Sequence, residues 1–317
     1  MNTTTRSITE QFPYWQEAAA PELQLRTDQQ HVLVGCGTSY YLAQGVAAAL
    51  NEAGVPALAV PGSEWLIRPE AYLTALSHPH VLAFSRSGES TETVQASVRS
   101  RAAGLHVTAL TCEATSSLAK NADTVLYSKT HPEEGIVMTT SASLMLLGGL
   151  RLAGLKVGRA EIQAARTLLE QAQGQLAAAI AGKSHFVFLG GGQLYGVAQE
   201  GALKLQEMSL SYTQAYHPLE YRHGPVSLVD DRTLIVLLYH PSTAAEEAKL
   251  AQELSRKGAR VLGLGGPGDV SFDVDGDANL RALTVLPIIQ ILGECVAQSK
   301  GLDSEAPRWL TKVVTLA

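Results

Sequence analysis

A cluster of hydroxyl side chains directly follows an apolar run in the stretch "AFSRSGESTETVQA", residues 83–96. The hydroxyl residues after the run are Ser85, Ser87, Ser90 and Thr91. If a helix begins here, its unpaired N–H groups favour an anion, and Gly88 lets the backbone approach it closely. The alternative is that Ser87 or Ser90 caps the helix, since "STETV" fits a capping box. A cap needs only one hydroxyl, and this loop has four. The sequence therefore predicts a phosphate site here.

A second turn of the same form is "GCGTSYY", residues 35–41, in which glycines precede Thr38 and Ser39 at a predicted helix start. The neighbouring Cys36 could be proposed as a nucleophile. No base lies near it in the sequence, so we predict a small buried thiol instead.

Charged side chains recur at helical spacing in "QEGALKLQEMSLS", residues 199–211. Glu200, Lys204 and Glu207 are spaced i, i+4 and i+7, which places them on one stripe of a helix. Spacing alone favours a solvated salt-bridge face.

The segment that follows changes this interpretation. "HPLEYRHGPVSLVDD", residues 217–231, places Glu220, Arg222 and His223 in a loop that contains Gly224 and a proline. Histidine titrates near neutral pH, so an imidazole beside a carboxylate helix could form an acid/base pair.

Apolar runs of strand length alternate with alanine-rich segments of helical length, which predicts an α/β protein with a parallel sheet covered by helices. The predicted strands are residues 31–35, 80–85, 106–111, 185–190, 233–239 and 260–265. The last is followed by "DVSFDVDGD" and no helical pattern. The G-x-G-x-x-G match "GLGGPG" therefore fails as a dinucleotide-binding motif.

The sequence also contains an internal repeat. "VLVGCGTSYYLAQGVA" resembles "VFLGGGQLYGVAQEGA" 155 positions later, and the same shift aligns Phe84 with Tyr239. We expect two similar flavodoxin-like α/β/α halves, residues 1–158 and 159–317, linked by a helix over 159–180. The second copy has "YHPSTA" where the first has "SRSGES". Because a purely structural turn should persist in both, this difference places the phosphate site in the first half.

The composition excludes several classes of protein. The 317 residues are 46% hydrophobic and 17% charged with net charge −6, so no nucleic-acid partner is expected. Three scattered cysteines exclude a disulfide framework. The N-terminus lacks an apolar leader and no run of about 18 apolar residues occurs, so we expect a cytoplasmic protein without membrane contact.

Taken together, the motifs resemble the sugar isomerase (SIS) family in its double-domain form. The sequence is most similar to the isomerase half of glucosamine-6-phosphate synthases and to stand-alone glucosamine-6-phosphate deaminases. "CGTSY", "SRSGES", "EGALKLQE", "HGP" and "APRWLTKVV" occur in the family's order. The match spans nearly the whole chain and implies two SIS subdomains.

The resemblance implies a role for each matching residue. The 6-phosphate would contact Thr38, Ser39, Ser85, Ser87 and Ser90, with Arg86 where the synthases have an uncharged amide. Glu207 would move the proton between C1 and C2, and His223 of a neighbouring subunit would open the sugar ring. Lys204 would lie near the ring oxygens and Lys312 near the ketose carbonyl. The remaining predicted substrate contacts are Cys36, Gly37, Val137 and Glu200.

Two departures from the family shape the expected reaction. The chain begins "MNTTTRS" without a glutaminase domain, so we expect no glutamine-dependent synthesis. Met138 and Thr140 replace a serine and a lysine of the synthases. We therefore expect a homodimeric, cofactor-free and metal-free enzyme that converts glucosamine 6-phosphate to fructose 6-phosphate and ammonia.

Three alternatives remain open at this point. A fructosamine-6-phosphate deglycase and a simple phosphosugar aldose-ketose isomerase would use the same residues. A non-catalytic sugar-phosphate sensor would belong to a different class. Such sensors normally carry a partner module, and the retained Glu207 and His223 favour an enzyme.

Overall fold

The chain divides into two compact units, which we describe from a computed structural model that covers residues 1–18 and 23–314. The N-terminal unit comprises Glu10–Val157 together with the chain from Thr311 onward. The C-terminal unit comprises Gly158–Leu310 together with Met1–Thr9, which contain helix α1 (Thr3–Thr9). Relative to the predicted halves, each end of the chain belongs to the opposite unit.

The N-terminal unit is a five-stranded parallel sheet in the order β2-β1-β3-β4-β5. Helix α3 packs on α8 and helix α4 packs on α6. Its elements are α2 (Phe12–Glu17), β1 (His31–Gly35), α3 (Thr38–Glu52), β2 (Ala57–Pro61), α4 (Gly62–Ile67), α5 (Glu70–Leu73), β3 (His80–Ser85), α6 (Thr91–Ala102), β4 (Val107–Thr111), α7 (Ser117–Lys120), β5 (Thr124–Tyr127) and α8 (Thr140–Leu152).

The C-terminal unit repeats this topology with the order β10-β9-β8-β6-β7. Its elements after α1 are α9 (Arg159–Gln173), α10 (Leu176–Ile180), β6 (His185–Gly190), α11 (Gln193–Ser209), β7 (Tyr212–Tyr216), β8 (Thr233–Leu238), α12 (Ala244–Arg256), β9 (Arg260–Leu264), β10 (Val270–Phe272) and α13 (Arg281–Ser299). In each sheet the first strand lies between the second and the third, which is the flavodoxin-like order. The predicted fold is confirmed.

The segment 159–180 is not a single linking helix, as the sequence predicted. It forms α9 and α10, which belong to the C-terminal unit and pack against α13. The apolar face of α9, with Ile162, Leu168 and Leu169 buried, explains this placement, because a helix with one apolar stripe packs on its own unit.

Helix α13 is the central core helix of the C-terminal unit. By length and apolar composition, residues Ala278–Ser299 could span a membrane, but 89% of the most apolar window is buried within the protein. A buried core helix can have the same length and apolar composition as a membrane-spanning one, so burial in the core accounts for the composition of α13.

Three histidines form a row at the amino ends of neighbouring strands in the N-terminal unit. His31 and His80 begin β1 and β3, and His106 directly precedes β4. Their rings meet edge to face at centroid distances of 5.3 Å and 4.9 Å. The ring of His80 hydrogen-bonds the hydroxyl of Thr108 at 2.8 Å. Burial, with the neighbouring imidazoles, lowers the pKa of His80 to about 4.

This row predicts an acid-sensitive N-terminal unit. The unfolded His80 takes up a proton near pH 6.5 and the folded one only near pH 4, so stability is present above pH 6.5 and is lost as the pH falls to 4. The loss should reach about 3 kcal/mol from this residue. Urea unfolding of His80→Gln should show a flatter pH dependence across that window. The exposed His78→Asn should keep the wild-type slope, and an unchanged slope in His80→Gln would contradict the prediction.

Candidate active site

The hydroxyl-rich loop lies between the end of β3 and the start of α6, as predicted. Ser85 is buried and its Oγ accepts a hydrogen bond from the Gly88 N–H at 3.1 Å, while Ser87 Oγ accepts from the Glu89 N–H at 3.2 Å. Ser90 occupies the N-cap position of α6, but its side chain makes no capping hydrogen bond. The capping alternative is therefore wrong for Ser90, and its hydroxyl remains at a helix N-terminus suited to an anion.

Gly88 is required by the packing of this loop. Its φ of +63° lies in the left-handed region, and a Cβ at this position would lie 2.1 Å from Ser116 Oγ. No side chain fits there, so glycine is needed for the loop backbone to pack closely against Ser116.

The first turn of the N-terminal unit has the same construction. Gly37, with φ +54°, is the N-cap of α3, and the following Thr38 and Ser39 are buried. Cys36 lies half-buried with its Sγ 3.5 Å from Thr93 Oγ1, and burial raises the pKa of its thiol. A protonated, packed thiol at neutral pH supports the prediction that Cys36 is not a nucleophile.

A third loop of the N-terminal unit, residues 130–139, is organised by Glu134, which the sequence analysis missed. Glu134 is 3% exposed, and its carboxylate accepts hydrogen bonds from the N–H and hydroxyl of Ser141 at 3.0 Å and 2.9 Å. A carboxylate at the start of α8 also complements the helix dipole. The predicted substrate residue Val137 lies in the same loop and is buried. An acidic pair followed by hydroxyl residues at a helix start was the available signal.

Two charged residues of the predicted site contact this third loop through its backbone. The guanidinium of Arg86 donates to the carbonyls of Gly135 and Ile136 at 3.0 Å and 2.9 Å. Lys312 Nζ donates to the carbonyl of Glu134 at 2.9 Å. The N-terminal unit therefore brings together the hydroxyl-rich loop of residues 85–91, called the serine loop below, the third loop of residues 130–139, and Lys312.

The charged stripe of α11 is buried rather than solvated, which corrects the interpretation from spacing alone. Glu200 and Lys204 are 0% exposed, and their charged atoms lie 3.5 Å apart. Lys204 also donates a hydrogen bond to Glu207, which is 20% exposed. Helix α11 reaches this depth because Gly201 packs on Phe188, where a Cβ would lie 2.6 Å from the ring.

The buried cluster keeps its ammonium charged. Burial alone would lower the pKa of Lys204, but the charges of Glu200 and Glu207 and their hydrogen bonds outweigh it and raise the pKa. Of the three side chains, Glu207 alone is partly accessible, so it can present a carboxylate to a ligand while Lys204 fixes its position.

His223 lies in the loop between β7 and β8, and its side chain is exposed. The loop turns at Gly224, with φ +118°, and neighbouring Arg222 pairs with Glu253 at 3.1 Å. Within the described residues, the imidazole of His223 makes no hydrogen bond, and the ion pair of Glu207 is with Lys204 and not with His223. The C-terminal unit by itself does not assemble the predicted acid/base pair.

The second copy of the serine loop is organised around a buried acidic side chain. In "YHPSTA" the buried carboxylate of Glu247 accepts from the His240 N–H and from the Thr243 hydroxyl, both at 2.8 Å. An internal anion therefore occupies the donors of this loop. In the serine loop of the N-terminal unit, the N–H groups of Gly88 and Glu89 are bonded by the hydroxyls of Ser85 and Ser87 and not by a carboxylate.

Within the part of the chain that the structure describes, no group of three or more His, Cys, Asp or Glu side chains is arranged to hold a metal ion. The candidate chemistry is that of hydroxyls, backbone N–H groups, two lysines, carboxylates and one imidazole. Such a set can bind a phosphate and transfer protons.

The fold and the site define a doubly wound α/β protein, with a hydroxyl-rich loop in one unit and a buried cluster of charged side chains in the other. A sequence profile of the SIS domain matches residues 24–151 and 179–295, and the chain belongs to the SIS domain family. The resemblance found in the motifs is thereby confirmed.

Among solved structures, glucosamine-6-phosphate deaminase from Thermotoga maritima superposes with a TM-score of 0.86 at 30% identity, over 99% of this chain and 100% of that one. Tagatose-6-phosphate ketose/aldose isomerase from Escherichia coli superposes with a TM-score of 0.81 at 25% identity, over 95% and 93% of the two chains.

A curated relative, glutamine–fructose-6-phosphate aminotransferase (isomerizing) from Symbiobacterium thermophilum, is 32% identical over 95% of this chain and 54% of its own length. The corresponding enzyme of Sulfurisphaera tokodaii is 27% identical over 92% and 51%. The chain thus spans about half the length of the curated relatives it matches.

Proposed function

We propose that the protein is an amino-sugar-6-phosphate deaminase that converts glucosamine 6-phosphate to fructose 6-phosphate and ammonia. The observation that carries this proposal is the partly exposed Glu207 held by the fully buried Lys204, in a chain that also has a serine loop suited to phosphate. The near full-length similarity to the Thermotoga maritima deaminase supports the choice of reaction.

The proposed reaction proceeds by proton transfers on an anchored sugar. The phosphate is held by the hydroxyls of Ser85, Ser87 and Ser90, and His223 moves a proton between the ring oxygen and O1 to open the ring. Glu207 takes the proton from C2 and returns it to C1, while the amine loses one proton and O1 gains one, which leaves a hydroxyl on C1 and an imine at C2. Water adds to C2 and ammonia departs. General acid/base transfer contributes about 10²- to 10⁴-fold, and phosphate anchoring adds orientation.

The proposal includes a homodimer in which His223 completes the neighbour's site. Its exposed imidazole, without a hydrogen-bond partner among the described residues, supports a role toward a second chain. The expected cytoplasmic location and the absence of nucleic-acid and membrane partners stay predictions.

The test is a product assay with purified protein. Glucosamine 6-phosphate should yield ammonia and fructose 6-phosphate in equal amounts, with no metal or cofactor added. Release of an amino acid from a fructosamine 6-phosphate, with no ammonia from glucosamine 6-phosphate, would identify a deglycase instead. Interconversion of tagatose 6-phosphate alone would identify a simple isomerase. Binding of sugar phosphates without turnover would identify a sensor.

A further inference from the structure

The side chain of Arg86, in the serine loop, reaches the C-terminal segment of the N-terminal unit. It is 8% exposed, and its guanidinium donates three hydrogen bonds, all to backbone carbonyls. Two go to Gly135 and Ile136, and the third goes from Nη2 to the carbonyl of Lys312 at 3.1 Å. One side chain therefore links three separate segments of the unit.

The identity of the residue matches this linking geometry. A guanidinium has five N–H donors in a rigid planar fork, so it can serve three carbonyls at once. A lysine ammonium is a compact point charge on a flexible stem, and a glutamine has only two N–H donors. The sequence predicted Arg86 as a phosphate contact. In the structure, three of its donors are already used by the backbone.

The C-terminal segment from Thr311 to Val314 buries little surface, with Val313 half-buried, and hydrogen bonds attach it to the unit. Lys312 and Val314 are exposed. Lys312 Nζ donates to the carbonyl of Glu134 at 2.9 Å, and the N–H of Thr91 donates to the carbonyl of Val314 at a longer 3.4 Å. With so little buried surface, loss of the charged donor should release the segment.

We propose that Arg86 is a positioning residue: it fastens the C-terminal segment to the serine loop and thereby fixes the position of Lys312. The anchoring step stands on the hydrogen bonds alone. The consequence for turnover rests on the proposed function, in which Lys312 acts at the ketose carbonyl.

The anchoring step is tested without substrate by hydrogen–deuterium exchange of the peptide covering residues 308–314 in the full chain. Arg86→Gln should speed exchange of this segment by about tenfold or more, because a charge-assisted hydrogen bond is removed. Arg86→Lys keeps the charge, so it serves as a second variant in case Arg86→Gln folds poorly. It should increase the exchange rate of the segment by an intermediate amount. The exposed Arg68→Gln in the same unit is the control. Unchanged exchange in both Arg86 variants would overturn the proposal.

The consequence for turnover is tested by a double-mutant cycle with Lys312→Met. If Arg86 acts through Lys312, Arg86→Gln should lower kcat more than it raises KM, and the double variant should be no slower than Lys312→Met. If the losses of kcat in the two single variants multiply in the double variant, the residues act independently and the proposal is overturned. The proposal would also be wrong if Arg86→Gln lost binding of inorganic phosphate while exchange of the C-terminal segment stayed unchanged. Arg86 would then be a direct phosphate contact. If no sugar phosphate turns over, the proposed function fails while the exchange result still decides the anchor.

Discussion

Replacing Glu207 with glutamine is expected to lower kcat for deamination by about 10²- to 10⁴-fold, because the amide cannot take the proton from C2. The change is isosteric, and the residue is 20% exposed, so folding should be little affected. Binding of fructose 6-phosphate, measured by calorimetry, should persist, since the proposed phosphate contacts lie in the other unit. Stopped or coupled assays of fructose 6-phosphate release give kcat.

The matched control is Glu246→Gln, which changes an exposed carboxylate on α12 of the same unit. It should keep wild-type kcat and KM. If Glu207→Gln retains more than about a tenth of wild-type kcat, general base catalysis by this residue is refuted.

Hybrid dimers extend this test to His223. A chain with Glu207→Gln and a chain with His223→Asn should each be inactive. If sites are shared, a mixed dimer contains one site with both native residues, so random exchange at equal amounts should restore about a quarter of wild-type activity. No recovery after confirmed subunit exchange would place His223 in its own chain's site.

The central strands of both units could be predicted from sequence and the outer strands could not. The six predicted strands form β1, β3, β4, β6, β8 and β9, whose residues are almost all buried. The missed strands β2, β5, β7 and β10 lie at the sheet edges and are half-exposed. The sequence of a strand that is covered on both faces is a continuous apolar run, whereas an edge strand lacks such a run.

The local chemistry of the serine loop could also be predicted, but the surroundings of each charge could not. The spacing placed Glu200, Lys204 and Glu207 on one helical face and predicted that this face is exposed to solvent. Burial of that face depends on Gly201, which lets α11 pack against Phe188. Such a contact joins separate elements and leaves no periodic signal.

Long-range hydrogen bonds are hidden from sequence for the same reason. The partners of Arg86 lie at residues 135, 136 and 312, and nothing in the motif "SRSGES" indicates which segments fold against it. Resemblance to relatives likewise gave no direct guide, because the synthases have an uncharged amide at this position. Only the folded unit shows that the arginine contacts backbone carbonyls.

Replacing Lys204 with methionine is expected to lower the free energy of unfolding by about 3 to 5 kcal/mol, because it leaves the fully buried Glu200 beside Glu207 without a cation. The raised pKa of Lys204 means that its contribution is complete below the unfolded pKa near 10.5 and is lost only as the pH rises beyond it. Urea unfolding at pH 7 therefore measures the full effect.

A compensating variant shows whether the cost is electrostatic. Adding Glu200→Gln to Lys204→Met removes the most buried of the two stranded charges, so the double variant should recover more than half of the loss. Lys249→Met, which removes an exposed lysine from α12, should change stability by no more than about 0.5 kcal/mol. A loss below about 1 kcal/mol in Lys204→Met would mean that water reaches the cluster. In that case Glu207 would not be held by a desolvated ammonium, and the positioning of the proposed base would need another cause.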